Sequence, residues 1–448
     1  MSLDNPNIVR TKRVQPKRRR DLELMGALVV LGLIFFHSAR IFDEGDFYVK
    51  NLPPSYIVTT VLSFAVTWAM PLMFLMAGMA IWYSLRKRTA GQFVNERFRR
   101  LFIPLFFGVL VLIPPQVYIG LHQDPAYSES YWEFLPRFFD VEMSLARFPF
   151  IISPAPETML FEYGQLWFLV VLFGFSLVLI PLFVYLRRPA GRYIVEQSAN
   201  FFARPWFVFL LAIPLAAIQI TLGAKVEVAV WNPYAYALFI VYGFLIAADS
   251  RFGRSFQKNW KAAIMLGSLC FLSYMGFYLY VILSEVQGAD PFRDFDLASL
   301  GFRFFFALCG WFWIVAILGL AGRLTQPHAG TSQRTPSGVG DDKPGEKESQ
   351  VFEESRKTSR LQRFMRYASK AQMPIYVLHQ TIIVIIGFFV VRWQVIWPAK
   401  YLVISFSTLV VTLVIYDVAV RRTRATRFLF GLKPKKKEQT VVRAPGTS

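Results

Sequence analysis

The sequence predicts an all-α integral membrane protein, a bundle of about ten transmembrane helices with both termini cytoplasmic. Three observations carry that expectation. The 448 residues are 55% hydrophobic and 17% aromatic, with 45 Phe and a mean hydropathy of +0.41, more apolar than a soluble core requires. Apolar runs of about 20 residues, the length that crosses a bilayer, recur along the chain. The net charge of +20 is gathered in clusters between those runs, where the positive-inside rule expects it, so membrane lipids rather than nucleic acid are the expected partners.

The elements follow in order. A basic cytoplasmic tail, 1–21, contains RTKRVQPKRRR and leads into a run too long for a signal h-region, with no small-residue cleavage site. Spans are expected near 22–42, 56–84, 101–120, 165–186, 205–222, 233–249, 262–284, 297–322, 372–391 and 401–420. With the N-terminus inside and strict alternation, inner segments hold forty of the 49 Lys and Arg. That bias sets the orientation and predicts a multi-pass protein of the cell inner membrane. Helices one to eight fill 22–322, with an outer loop at 121–164 rich in aromatics and acids that folds over the bundle mouth.

Residues 323–370 are inner. Their core, QPHAGTSQRTPSGVGDDKPGEKESQ, reads as a largely disordered linker. The following FEESRKTSRLQRFMRYASK reads as a basic amphipathic helix on the membrane surface. Helices nine and ten occupy 371–420, and a basic tail, 421–448, ends in the anchor-like KPKKK segment and beyond. Cys270 and Cys309 both fall within apolar spans, which excludes a disulfide framework.

Chemistry concentrates on the first helix, LELMGALVVLGLIFFHSARIF. At about 100° per residue, Glu23, Gly26, Val30, Leu33, His37 and Arg40 share one face. An ionisable ring inside hydrocarbon is costly and faces a cavity or a neighbouring helix, so His37 is a candidate base as well as a candidate packing histidine. Near neutral pH an imidazole can take a proton and return it within one cycle. No G-x-S-x-G elbow, H-E-x-x-H cluster or Walker loop occurs, and with four His in the chain no metal site is expected. The DEGDFYVKN segment offers Asp43, Lys50 and Asn51 to an acceptor hydroxyl, although an ordered interfacial loop uses the same residue types. Trp167, opening the fourth span, suits an interfacial belt or a stacking platform for a sugar. Arg303, inside the eighth span, needs a carboxylate or water, and Asp43, Glu162 and Asp296 are the candidates.

Several segments in this order carry a resemblance. HSARIFDEGDFYVKN, MPLMFLMAGMAIWYSLRKRTAGQFVNERFRRLFIPLFFG, LIPPQVY, QLWFLVVLF and MPIYVLHQTIIV are similar to the membrane-integral acyltransferase family 3. That family includes glucan succinyltransferases and enzymes that O-acetylate surface polysaccharides and macrolides. The resemblance runs from about residue 20 to 420 and implies ten or more helices. It also implies acyl transfer from acyl-CoA, a donor substrate rather than a resident cofactor, to a hydroxyl-bearing, carbohydrate-like acceptor.

The family's first-helix hallmark is an arginine, ten residues, then histidine; His37 matches it and Gly26 stands where the arginine belongs. By helix rise the two are about 16 Å apart. Arg97 and Arg100 match an R-x-x-R pattern, which on an α-helix shares one face and grips the phosphates of coenzyme A from two sides. Tyr376 and His379 match Y-x-x-H near the inner end of the ninth span, as a second polar wall of the cavity or as a structural pair. Besides His37 as base, Arg40, Asp43, Lys50, Asn51, Trp167 and Arg303 are the acceptor-side candidates. Two other readings stand beside the O-acyltransferase: a glycan or lipid-linked transporter or flippase, with His37 and Arg303 as relay groups, and a catalytically impaired acyltransferase relative.

Overall fold

In hydrocarbon every backbone N–H must find its acceptor within its own segment, so a chain this apolar folds almost wholly into helices. The computed structural model describes residues 17–223, 230–283, 290–324 and 344–433. Helix α1 (Lys17–Ala39) leads through a loop to α2 (Tyr56–Leu85). Next come α3 (Ala90–Arg97), a π-helical turn at Phe98–Phe102, α4 (Ile103–Val111) and α5 (Ile113–Leu121). The break between α4 and α5 falls where Pro114 and Pro115 open the new helix and supply no N–H.

The loop beyond α5 folds as α6 (Tyr131–Phe138) and a two-stranded hairpin, β1 (Val141–Met143) with β2 (Ile152–Pro154), antiparallel with Glu142 opposite Ser153. Ser130 and Glu133 cap α6 reciprocally, which stops the chain from continuing as loop. Then follow α7 (Trp167–Val178), α8 (Ile180–Leu186), α9 (Pro189–Phe202), α10 (Ala212–Leu222), α11 (Pro233–Ala248), α12 (Ser250–Leu283) and α13 (Leu297–Leu324). The chain ends with α14 (Pro344–Val390), α15 (Trp397–Ile415), a second π-helical turn at Tyr416–Val420 and α16 (Arg424–Leu429).

Among the described residues six helices are long and apolar enough to cross a membrane, and seven if α7 and α8, bent by 54° at Leu179, count as one span. Three shorter apolar helices, Met25–Ala39, Phe207–Leu222 and Pro233–Ala248, lie where the remaining expected spans fall. The chain is thus a multi-pass, almost wholly helical membrane protein in its coarse design. Residues 325–343 of the expected linker lie outside the described residues, and the helix carrying the ninth span begins at Pro344, inside the stretch read as linker.

The tightest packing joins α2 to α11. A Cβ on Gly78 would lie 2.0 Å from the Ile240 carbonyl oxygen, and one on Gly243 would lie 1.8 Å from that of Leu75. The two backbones therefore touch, which only small residues permit, and dispersion between close helices replaces the hydrophobic drive that lipid removes. Gly243→Ala is expected to force the helices apart and to cost about 2 kcal/mol. Thermal unfolding in detergent measures it, with Gly276→Ala as the silent control, since nothing lies within 4 Å of a Cβ there.

Candidate active site

The face of α1 predicted from periodicity is the face that packs on α14. Val30 and Leu33 are buried, a Cβ on Gly26 would sit 3.1 Å from Gln372 Nε2, and the rings of His37 and His379 lie 5.2 Å apart between centroids. Gln372 and His379 are seven residues apart, two helical turns, so they share a face of α14 just as Gly26 and His37 share one of α1. The side chain of Glu23 lies outside the described residues.

His379 is fully buried, and its surroundings fix its tautomer. Nδ1 lies 2.8 Å from the Tyr376 carbonyl oxygen and 3.2 Å from that of Ile375. Carbonyls only accept, so Nδ1 carries the proton and Nε2 presents a lone pair. That Nε2 is buried with no hydrogen-bond partner among the described residues. An unmet acceptor in a site of low dielectric is costly, and the polar ring beside it belongs to His37. The sequence placed Tyr376 and His379 near the inner end of their span; in α14 they stand mid-span, level with the base candidate. Tyr376 turns away from that pair, its hydroxyl donating to the Gln165 carbonyl.

His37 stands two residues before the end of α1, where the chain turns into a buried loop. The loop after Ala39 does not emerge into solvent: Ile41, Phe42, Asp43 and Val49 are buried, and Ile41 reaches Gly387 of α14. Buried loop carbonyls need donors, and Lys50 supplies them. Its Nζ bonds the carbonyls of Arg40 (2.9 Å), Asp43 (2.6 Å) and Gly45 (2.8 Å) and the Asp43 carboxylate (2.8 Å). Arg40 bonds the same carboxylate and the Asp46 carbonyl at 2.8 Å. Asn51 accepts from the buried Lys400 at 2.8 Å. Four residues read as acceptor-side groups are thus engaged in closing their own loop.

Two further expectations are corrected. Trp167 is no interfacial belt residue: it is buried, with its ring 5.3 Å from Tyr236 and 6.0 Å from Phe74. Arg303 takes neither Asp43, Glu162 nor Asp296 as hydrogen-bond partner. It is fully buried, donates to the carbonyls of Phe292 (3.2 Å) and Asp294, and stacks on Phe295. Asp296 instead caps α13, accepting from the N–H groups of Ala298 and Ser299.

The basic pair is also rearranged. The π-helical turn begins at Phe98, and its wider pitch swings positions three apart away from each other. Arg97 folds back over the Phe93 ring, 4.7 Å away, while Arg100 lines a cleft of about 520 Å³ between α3 and α16. Arg88, Arg99, Arg424, Arg427 and Lys433 line it as well. Among the described residues Glu96 is its one acidic lining residue, 2.8 Å from Arg88 and 3.4 Å from Arg100. Sequence reasoning missed Arg424 and Arg427, whose only signal was a basic run after the last span.

With this geometry in place, the comparison with known proteins is direct. A family model described as an acyltransferase domain matches residues 19–417, nearly the whole chain. The chain belongs to acyltransferase family 3. No curated protein and no solved structure matches it. Membership of this acyltransferase family suggests an acyl-transferring membrane enzyme, and the histidine pair lies inside the matched segment.

One carboxylate near the site responds to pH. Glu162, half-buried in the loop before α7, accepts from the Tyr48 hydroxyl. Loss of solvation pushes its carboxyl up to about 7, against the opposing pull of that hydrogen bond. The same burial, with the neighbouring Glu162, pushes Tyr48 well above a normal phenol. The folded state therefore holds the Glu162 proton more tightly than the unfolded chain does. Its stabilising contribution is complete below about pH 4.5 and is lost as pH rises through about 7. The thermal midpoint should fall across that window in the wild type, and Glu162→Gln should flatten the fall.

Proposed function

We propose that the protein is an inner-membrane O-acyltransferase that moves an acetyl- or succinyl-type group from acyl-CoA to a hydroxyl of a sugar, polysaccharide or similar acceptor. The observation that carries this reading is the contact between His37 and His379, the latter with its tautomer set and its buried Nε2 unmet. An N–H of His37 donated to that Nε2 leaves the other His37 nitrogen as the acceptor. The acceptor hydroxyl attacks the thioester carbonyl as its proton passes to that nitrogen. Collapse of the tetrahedral adduct breaks the carbon–sulfur bond, and the departing thiolate takes the proton back, leaving an ester and free coenzyme A. His379 touches no reacting atom in this scheme; it positions the base.

The donor's phosphates fit the cleft between α3 and α16, on the side taken as cytoplasmic from the charge distribution. Arg88, Arg99, Arg100, Arg424 and Arg427 present forked donors there, suited to a pyrophosphate and a 3′-phosphate. Arg97, lying back on Phe93, supports the turn rather than the ligand. Gly26 places no guanidinium at its own position on the α1 face, and the amide of Gln372 occupies the adjacent space. Gln372 is the polar group through which this chain differs from the arginine pattern.

Purified protein tests the reading through acyl-CoA binding and turnover. His37→Ala is expected to lower turnover at least a hundredfold. Arg100→Ala and Arg427→Ala are each expected to weaken acyl-CoA binding about tenfold while leaving the fold intact. Acyl-CoA should protect His37 of the wild type from chemical modification. Wild-type protein that neither binds acyl-CoA nor shows protection refutes the enzyme reading; turnover only in Gly26→Arg marks the natural chain as an impaired relative.

A further inference from the structure

We infer that Glu162 and Tyr48 are positioning residues for the histidine pair, acting through a buried chain of amides that fixes the α14 turn carrying His379. The inference rests on His379 being the partner of His37 as proposed above.

Pro374 lies inside α14, five residues before His379. It has no N–H for the preceding turn and its ring crowds the carbonyl four residues back, so the helix is weakened where the site needs it rigid. The turn that follows is held from outside. Tyr376 donates to the Gln165 carbonyl, and Gln165 Nε2 donates to the Val377 carbonyl at 2.9 Å. Gln116 Nε2 lies 2.8 Å from Thr381 Oγ1 and 3.3 Å from Gln165 Oε1, and Thr381 donates to the Leu112 carbonyl at 3.1 Å. Gln380, adjacent to His379, donates to Gln116 Oε1 at 3.2 Å. Gln116, Gln165, Gln380 and Thr381 are all buried, so each bond broken leaves a buried polar group unmet.

The loop end of this chain is pinned by Tyr48, whose hydroxyl donates to Glu162. Glu162 lies three residues before Gln165, whose amide and carbonyl hold Val377 and Tyr376 of the α14 turn. Without the Tyr48–Glu162 bond the segment that carries Gln165 loses its anchor, and the turn loses the support that Gln165 gives it. Gly164 leaves room for this closure: its φ is +47°, and a Cβ there would lie 2.8 Å from Ile113 Cδ1 and 3.1 Å from the Tyr48 oxygen.

Hydrogen exchange of the full chain, followed by mass spectrometry in lipid nanodiscs, tests the inference without depending on turnover. Glu162→Ala and Tyr48→Phe are expected to speed amide exchange in 375–384 about tenfold. Glu162→Gln, which keeps an acceptor for Tyr48, should exchange like the wild type, and 235–246 of α11 should be unchanged in all three. Wild-type exchange in Glu162→Ala and Tyr48→Phe overturns the inference, and so does acceleration spread equally into 235–246. In turnover assays the two disruptive variants should lose kcat about tenfold with the acyl-CoA KM unchanged. A protein with no acyl transfer at all would remove the proposed function, while the exchange result would still decide whether this chain of bonds holds the α14 turn.

Discussion

Helix α1 ends at Ala39, and the chain continues not into solvent but into a buried loop that packs on α14. That buried loop governs the rest of the site. A loop in this position has carbonyls with no intrahelical donor, so it exists only because Lys50 and Arg40 fill them and Asp43 balances their charge. The same helix end sets His37, two residues before it, beside the His379 ring of α14.

At that depth an imidazole pair behaves differently from one in water. Each hydrogen bond counts for more and each unmet lone pair costs more, so the fixed tautomer of His379 dictates which proton arrangement of its neighbour is comfortable. A base whose orientation is set before substrate arrives needs little reorganisation when the proton moves. Gly26 carries no side chain, and the α1 face packs on α14 along its length, with Gln372 at one end and His379 at the other.

Much of the helical layout was legible because period and length are local properties. The α1 stripe from Gly26 to His37 followed from helical rotation alone. What stayed hidden were the partners of residues whose surroundings are decided at a distance. Trp167 sits at the start of its helix, which looked interfacial, but Tyr236 and Phe74 bury it. Asp43, Lys50 and Asn51 had the composition of a carbohydrate site and are engaged with their own loop and with Lys400. Arg97 and Arg100 share an α-helical face on paper, and the π-helical turn separates them. Nothing local in the sequence paired His379 with His37, since 341 residues of chain lie between them.

The account stands on the two histidines acting as one unit, and a double-mutant cycle on acyl-transfer rate tests that most directly. His37→Gln, His379→Gln and the double variant would be compared at saturating acyl-CoA, with folding verified by thermal unfolding. If His379 works only by positioning His37, the double variant loses no more rate than His37→Gln alone. Losses that multiply, each variant reducing the rate independently of the other, would contradict the account.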